Sequence, residues 1–239
     1  MSDEVISLLI PTRNRINTTH GNFVYDLIES ARSTANNPED IEFVFYVDAD
    51  DTSSLDYFSS FSDPLIRVVS GDRIILSQMW NECYEESCGD ILGHCGDDLR
   101  FRTQGWDSVI VSKFAEYPDR IAFVYGRDGY APKTFGTHGF IHRNWVTAVG
   151  YFVPPYFSSD FNDNWLNEVA QAVGRHFYVD VYTEHMHPAA GKYVMDQTHT
   201  DRVSRGERDG VRERYDSLKA ERDADVNALL KFIQDFGEH

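Results

Sequence analysis

Residues 41–51 read Ile-Glu-Phe-Val-Phe-Tyr-Val-Asp-Ala-Asp-Asp. A run rich in β-branched and aromatic side chains breaks abruptly into acidic residues. An apolar run without polar alternation marks a strand covered on both faces, and the acidic end marks where the cover stops. Two other stretches share this design. Residues 5–11, Val-Ile-Ser-Leu-Leu-Ile-Pro, lead into Thr12-Arg13-Asn14, and residues 91–95, Ile-Leu-Gly-His-Cys, lead into Gly96-Asp97-Asp98.

Working outward, the segments between these strands are helical. Phe23, Val24, Leu27, Ile28 and Ala31 fall on one face of a helix over 23–34, which Asn22 can cap and Asn36-Asn37-Pro38 ends. A further strand is expected over 65–69. A second helix over 75–87 groups Ile75, Leu76, Met79, Trp80, Cys83 and Tyr84, with Gly89 as its C-terminal glycine. Strands alternating with helices imply a mainly parallel sheet with crossover helices, an α/β fold. Ligands of such sheets bind beyond the carboxyl ends of the strands. The clusters at 12–14, 48–51 and 97–98 are therefore expected to meet at one edge.

Beyond residue 100 the pattern loosens. Helices are expected over 104–116 and 163–173, strands over 121–125, 138–142 and 176–181, and a polar loop over 126–137. Val211, Tyr215, Leu218, Val226, Leu229, Ile233 and Phe236 form a stripe at helical spacing, which predicts one long helix over 211–236. That helix must dock on the domain or on a second copy of the chain.

Of the 239 residues, 41% are hydrophobic, enough for a large core, and the net charge is −17. An acidic surface repels phosphate backbones and argues against non-specific nucleic-acid binding. It also suits a site that gathers carboxylates around a divalent cation. The three cysteines, Cys83, Cys88 and Cys95, match no zinc spacing and read as reduced thiols. No apolar run is long enough to span a membrane, and Met1 to Glu4 lack a signal-peptide charge pattern. No membrane insertion and a cytoplasmic location are the expectations. The first strand is followed by no glycine-rich dinucleotide or P-loop turn, and no nucleophile elbow is present, which weakens oxidoreductase, ATPase and serine-hydrolase readings.

Several constellations can carry chemistry. Asp97-Asp98, at a strand end beside a glycine, offer hard oxygen ligands to Mg or Mn. Asp48, Asp50 and Asp51 suit turn and cap roles, or recognition of a base and ribose. His185 and His187, two apart in an extended segment, point the same way and suit Mn, and Lys192 can meet a phosphate. Asp160 and Asp163 offer a general base, although Asp163 also suits a helix N-terminus.

Taken in order, these motifs resemble the large family-2 group of GT-A glycosyltransferases. Ser7-Leu8-Leu9-Ile10-Pro11-Thr12-Arg13-Asn14-Arg15 is similar to the group's opening strand and loop, and Val47-Asp48-Ala49-Asp50-Asp51 to its second acidic strand end. Asn81, Gly89 and Gly96-Asp97-Asp98 align without a gap to the family's Asn, its glycine and its Asp-x-Asp. In that register Gly96 replaces the first aspartate, Trp80 replaces an arginine, and Asp98 takes the place of the principal metal ligand. Asn162-Asp163 resembles the motif that carries the acceptor-activating base, and Glu184-His185-Met186-His187 the histidine region of some GT-A enzymes.

The resemblance implies a Rossmann-like catalytic domain over 1–200, with a nucleotide-binding half over 1–100, an acceptor-binding half over 101–200 and a helical appendage over 201–239. It implies an inverting transferase using Mn or Mg and a nucleotide-sugar donor, most often a UDP-sugar. Pro11, Thr12, Arg13, Asp48, Asp50, Asn81, Asp97 and Lys192 would bind the donor. Asp98 with His185 or His187 would hold the metal, and Asp163, or Asp160, would be the base. The acceptor stays open between a glycan, a small molecule and modified DNA. The small size is similar to that of GT-A proteins encoded by bacteriophages, some of which glycosylate DNA bases in the host cytoplasm. Arg202, Arg205, Arg208, Arg212 and Arg214 are candidates for a DNA groove, but interleaved acids largely cancel them, so that acceptor ranks second. The alternatives are a non-catalytic nucleotide-sugar or glycan-binding module and a nucleotidyltransferase. A homodimer through the C-terminal helix is a further expectation.

Overall fold

A computed structural model describes residues 4–238. The Met1–Glu4 segment, read as lacking a signal-peptide charge pattern, falls mainly on residues 1–3, outside the described residues. In chain order the elements are β1 (Ile6–Thr12), α1 (Phe23–Ser33), β2 (Ile41–Asp48), α2 (Thr52–Ser59), β3 (Ile66–Gly71), α3 (Leu76–Glu86), β4 (Ile91–His94) and β5 (Leu99–Phe101). They continue with α4 (Trp106–Ala115), β6 (Phe123–Arg127), β7 (Gly139–His142), α5 (Arg143–Val149), α6 (Asn162–Ala172), β8 (His176–His185), α7 (Gln197–Asp209), α8 (Val211–Ser217) and α9 (Lys219–Gly237).

Among the described residues the strands form one eight-stranded sheet in the order β3-β2-β1-β4-β7-β6-β8-β5. β1 pairs in parallel with both β2 and β4, β2 with β3, and β6 with β8, whereas β7 runs antiparallel to β4 and β6, and β5 to β8. The sheet is thus mainly parallel, with β7 and β5 reversed. After β3 the chain returns to the other side of β1, which puts a topological switch point between β1 and β4. Ligands of open α/β sheets bind at such a point.

The strand side chains alternate between two cores. Ile6, Leu8 and Ile10 of β1 and Phe43, Phe45 and Val47 of β2 face α1 and α4. Leu9, Val44 and Tyr46 face α3, α5 and α6 on the opposite side. Burial on both faces explains the unbroken apolar runs in the sequence. The expected Asn22 cap is present, its side chain accepting from Tyr25 N at 2.9 Å.

α5 begins at a histidine cap. His142 Nδ1 accepts from Asn144 N at 3.1 Å, which requires a neutral ring. Burial foremost, with Arg120 and Arg143 adding repulsion, pushes His142 down to about 4. The unfolded chain takes up this proton near pH ~6.5 and the folded chain does not. Stability should therefore fall as pH drops below ~6.5, by at most ~tenfold in the unfolding constant per pH unit, and the fall should level off near 4. His142→Asn keeps a capping oxygen without the titration. Urea melts across this pH range should show a shallower slope for the variant.

The C-terminal region departs from the expected single helix over 211–236. It is two helices, α8 and α9, parted at Leu218, with the unanticipated α7 before them. The stripe runs through the break because both helices face one core: Val211 and Leu229 are buried there, and Tyr215, Leu218, Val226 and Ile233 pack against it. Arg222 closes the joint, donating to Tyr215 O at 2.6 Å and lying over the Tyr215 ring at 4.0 Å. The long helix docks on its own domain, leaving Leu230 and Phe236 exposed. No helix among the described residues is long and apolar enough to cross a membrane.

Candidate metal centre and donor cavity

The carboxyl ends of β1, β2 and β4 open onto a cavity of about 780 Å³. Thr12 and Arg13 border it from β1, Asp48 from β2, and Gly96, Asp97 and Asp98 from the turn after β4. The expected meeting of the three polar clusters is what the sheet produces. Thr12 Oγ1 donates to Asp97 Oδ2 at 2.8 Å, tying the two strand ends together across the switch point. Arg13 is clamped between carboxylates, donating to Asp48 Oδ2 at 2.7 Å and to Asp50 Oδ2 at 2.9 Å. Asp51 has the cap role, accepting from Asn14 N at 2.7 Å and from Ser54 N at 3.2 Å.

The opposite wall comes from the second half of the chain. The loop from 128 to 138 brings Tyr130, Thr137 and His138, β8 ends on His185, and α7 adds His199, Arg202 and Arg205. Ligand-capable atoms of Asp98, His138 and His185 all lie within 4.8 Å of one another. His185 Nε2 is 3.3 Å from Asp98 Oδ2, and its Nδ1 is 3.8 Å from Asp128 Oδ2. Burial alone would lower His185, but Asp98 and Asp128 override it and push it up to about 9. Burial would raise Asp98, yet His185 and His138 hold it below the usual carboxylate range. Two buried carboxylates thus flank the His185 ring, and both favour its charged form. One carboxylate with two imidazoles is a donor set that suits Mn and related divalent ions. His185 Nδ1 has no hydrogen-bond partner although buried.

Gly96 explains its departure from the aspartate of the family pattern. A Cβ there would lie 2.8 Å from Asp98 Oδ1 and 3.3 Å from His138 Nε2. The space that a longer side chain would fill is bordered by Asp98 and His138 on both sides. Trp80 is likewise committed to the fold: its Nε1 donates to Leu9 O and Cys95 O, each at 3.2 Å, and its ring packs on His94.

Asp163 lines the same cavity from the first turn of α6. Burial is the main cause that pushes it up to about 6. Asp160 lies at the rim, half exposed, in an ion pair with Arg202. His187 borders the cavity with its ring 5.0 Å from His185, and its Nδ1 accepts from Ala189 N at 3.1 Å. Asn81 and Lys192 do not border it. Asn81 ties α3 to the loop after α5, donating to Val153 O at 2.9 Å and accepting from Phe152 N at 2.9 Å. Lys192 pairs with Glu184 at 2.7 Å. Asp50 is exposed and meets the site only through Arg13.

Sequence reasoning gave no site role to His138, Asp128 or Arg15. Arg15 is buried at the cavity edge, 3.5 Å from Asp97 and paired with Asp196. Of the arginines named as candidates for a DNA groove, Arg202 and Arg205 border the cavity and the others are engaged elsewhere. Arg208 pairs with Asp209, Arg214 donates to Tyr156 O, and Arg212 lies over Phe161.

The sequence matches no protein-family profile and no curated protein. Solved structures share the fold. The mannosyltransferase PcManGT from Pyrobaculum calidifontis, in complex with GDP-Man and Mn2+, superposes with a TM-score of 0.58 at 10% identity, covering 97% of this chain and 88% of that one. S. aureus TarS 1–349 in complex with UDP-GlcNAc gives 0.59 at 11% identity, covering 82% and 64%. GalNAc-T7 with UDP, GalNAc and Mn2+ gives 0.58 at 12% identity, covering 76% and 44%. The match spans 36% of the longer TarS structure and 60% of its 1–349 piece. The chain has the GT-A glycosyltransferase fold.

Proposed function

We propose that this protein is a metal-dependent glycosyltransferase that moves a sugar from a nucleotide-diphosphate donor to an acceptor hydroxyl with inversion. One observation carries the reading. A single cavity at the switch point holds both the Asp98–His138–His185 cluster and Asp163, a carboxyl raised mainly by burial. Structural neighbours with nucleotide sugars and Mn2+ bound support it.

Asp98, His138 and His185 would hold the divalent ion, with His187 beside them. When bound, such an ion neutralises charge on a diphosphate leaving group. Arg13 and Arg15, kept in place by aspartates, border the same space and suit the donor's phosphates. Asp48 suits the base and ribose. Asp163 accepts the acceptor's hydroxyl proton as its oxygen bonds to the anomeric carbon. The bond from that carbon to the diphosphate breaks, and the electron pair leaves with the diphosphate. UDP is the first base to test, because two of the neighbours carry it, and GDP the second. A net charge of −17 and arginines already engaged favour a glycan or small-molecule acceptor over DNA.

Calorimetric titration of UDP, GDP and their sugar conjugates, with and without Mn2+, tests the reading. Metal-dependent binding of one nucleotide diphosphate is expected. Absence of binding to every member of the panel would sink it, and binding without turnover against any acceptor would point to a sugar-nucleotide binding module.

A further inference from the structure

The loop between β6 and β7 holds a hydrogen-bond chain that leads to both histidines of the cluster. Asp128 Oδ1 accepts from Tyr130 N and Ala131 N, each at 2.8 Å, which folds the loop. Its Oδ2 accepts from Thr137 Oγ1 at 2.5 Å and lies 3.8 Å from His185 Nδ1. Its carbonyl accepts from His185 N at 2.9 Å, so the same residue also pins the backbone of that histidine. Thr137 Oγ1 is in turn 3.0 Å from His138 Nδ1.

A hydroxyl has one proton. Thr137 gives it to the Asp128 carboxylate, so Thr137 Oγ1 can only accept from His138. His138 must then carry its proton on Nδ1, which leaves the Nε2 lone pair toward the space above Gly96 that Asp98 Oδ1 also borders. At His185 the ring lies between two carboxylates instead, with Nε2 3.3 Å from Asp98 and Nδ1 3.8 Å from Asp128, and its backbone N is the group bonded to Asp128.

We propose that Asp128 is the positioning residue of this centre: it pins the backbone of His185, and through Thr137 it sets which ring nitrogen of His138 is left free to bind a cation. The proposal rests on the metal reading above. Carboxylate partners of this kind orient metal-binding imidazoles, and their loss lowers metal affinity by about 10–100-fold.

Asp128→Asn tests it. The Asn side-chain oxygen can still accept from Tyr130 N and Ala131 N, so the loop and the metal-free melting temperature should persist. At the Oδ2 position the amide is a donor, which reverses the direction of the chain. Side-chain 15N NMR of the metal-free protein at neutral pH should find His138 protonated on Nδ1 in the wild type and in Thr137→Ser. Asp128→Asn and Thr137→Val should release it toward Nε2. Titration with Mn2+ alone should show about 10–100-fold weaker binding for Asp128→Asn and wild-type binding for Thr137→Ser. A His138 tautomer unchanged in Asp128→Asn would overturn the proposal, even if affinity fell, because lost charge alone would give that fall. Wild-type affinity in a folded Asp128→Asn would also overturn it. A wild-type chain that takes up no Mn2+ would be the separate failure of the metal reading, visible before any variant is compared.

Discussion

Asp98→Asn is expected to abolish metal-dependent donor binding and to lower turnover by about three orders of magnitude, the equivalent of several kcal/mol of lost charge stabilisation. Asp98 is buried and lines the cavity, and its carboxylate is the acidic member of the cluster with His138 and His185. The amide has the same shape but no charge, so packing against the neighbouring turn is kept while the affinity for a divalent ion is lost. The fold should tolerate the change. His185 keeps Asp128 as its other carboxylate, and removal of one negative charge lets a neutral imidazole satisfy what remains. Parallel titrations of the wild type and the variant with nucleotide diphosphate and Mn2+, alongside metal-free melts, make the measurement. Undiminished metal-dependent binding in the variant would remove Asp98 from the centre.

Asp163→Asn is expected to separate binding from chemistry. A positioned general base contributes about 10²–10⁴-fold, so turnover should fall by that factor while donor binding, proposed for the β1, β2 and β4 edge, stays near wild type. The pH profile gives an independent sign. A base works only when ionised. Burial pushes Asp163 up to about 6, so wild-type kcat/KM should rise with pH through that value rather than through ~4, where an ordinary aspartate titrates. The variant should lose this limb. Asp160→Asn is the contrast, since Asp160 is half exposed and already paired with Arg202. A larger loss at Asp160 than at Asp163 would reverse the assignment of the base.

How far the sequence speaks for the structure follows from what each element buries. β1, β2 and β4 are covered on both faces, so each is a continuous apolar run with a polar end, and both the strand and the position of its ligand-facing terminus are readable. α2 escapes notice because Thr52-Ser53-Ser54 looks like a turn, and its helix depends on the cap from Asp51. α7 buries only His199 and Gly206, so it has no apolar stripe to find. The break at Leu218 is hidden because the helices on either side face one core.

The site divides in the same way. Asp48, Asp97 and Asp98 sit at strand ends that the pattern announces. His138 and Asp128 do not. His138 reaches the centre because β7 is inserted in reverse between β4 and β6, a pairing with no local signature, and Asp128 because it follows β6, which that insertion sets running in the sense of β4. A histidine directly before a strand that opens on glycine is the only trace His138 leaves in the sequence.

The origin of the three cluster residues has a consequence for the chain as a polymer. Asp98, His138 and His185 stand far apart in sequence and come from the turn after β4, the edge of β7 and the end of β8. An ion bound to all three would close two long loops at once. The entropy of such closures in the unfolded chain is what a cross-link removes. The cysteines Cys83, Cys88 and Cys95 are unpaired, so the fold has no covalent tie of that kind. With an ion bound, the reversed strand would make the centre a reversible staple across the sheet, and resistance to unfolding would track the free concentration of the ion.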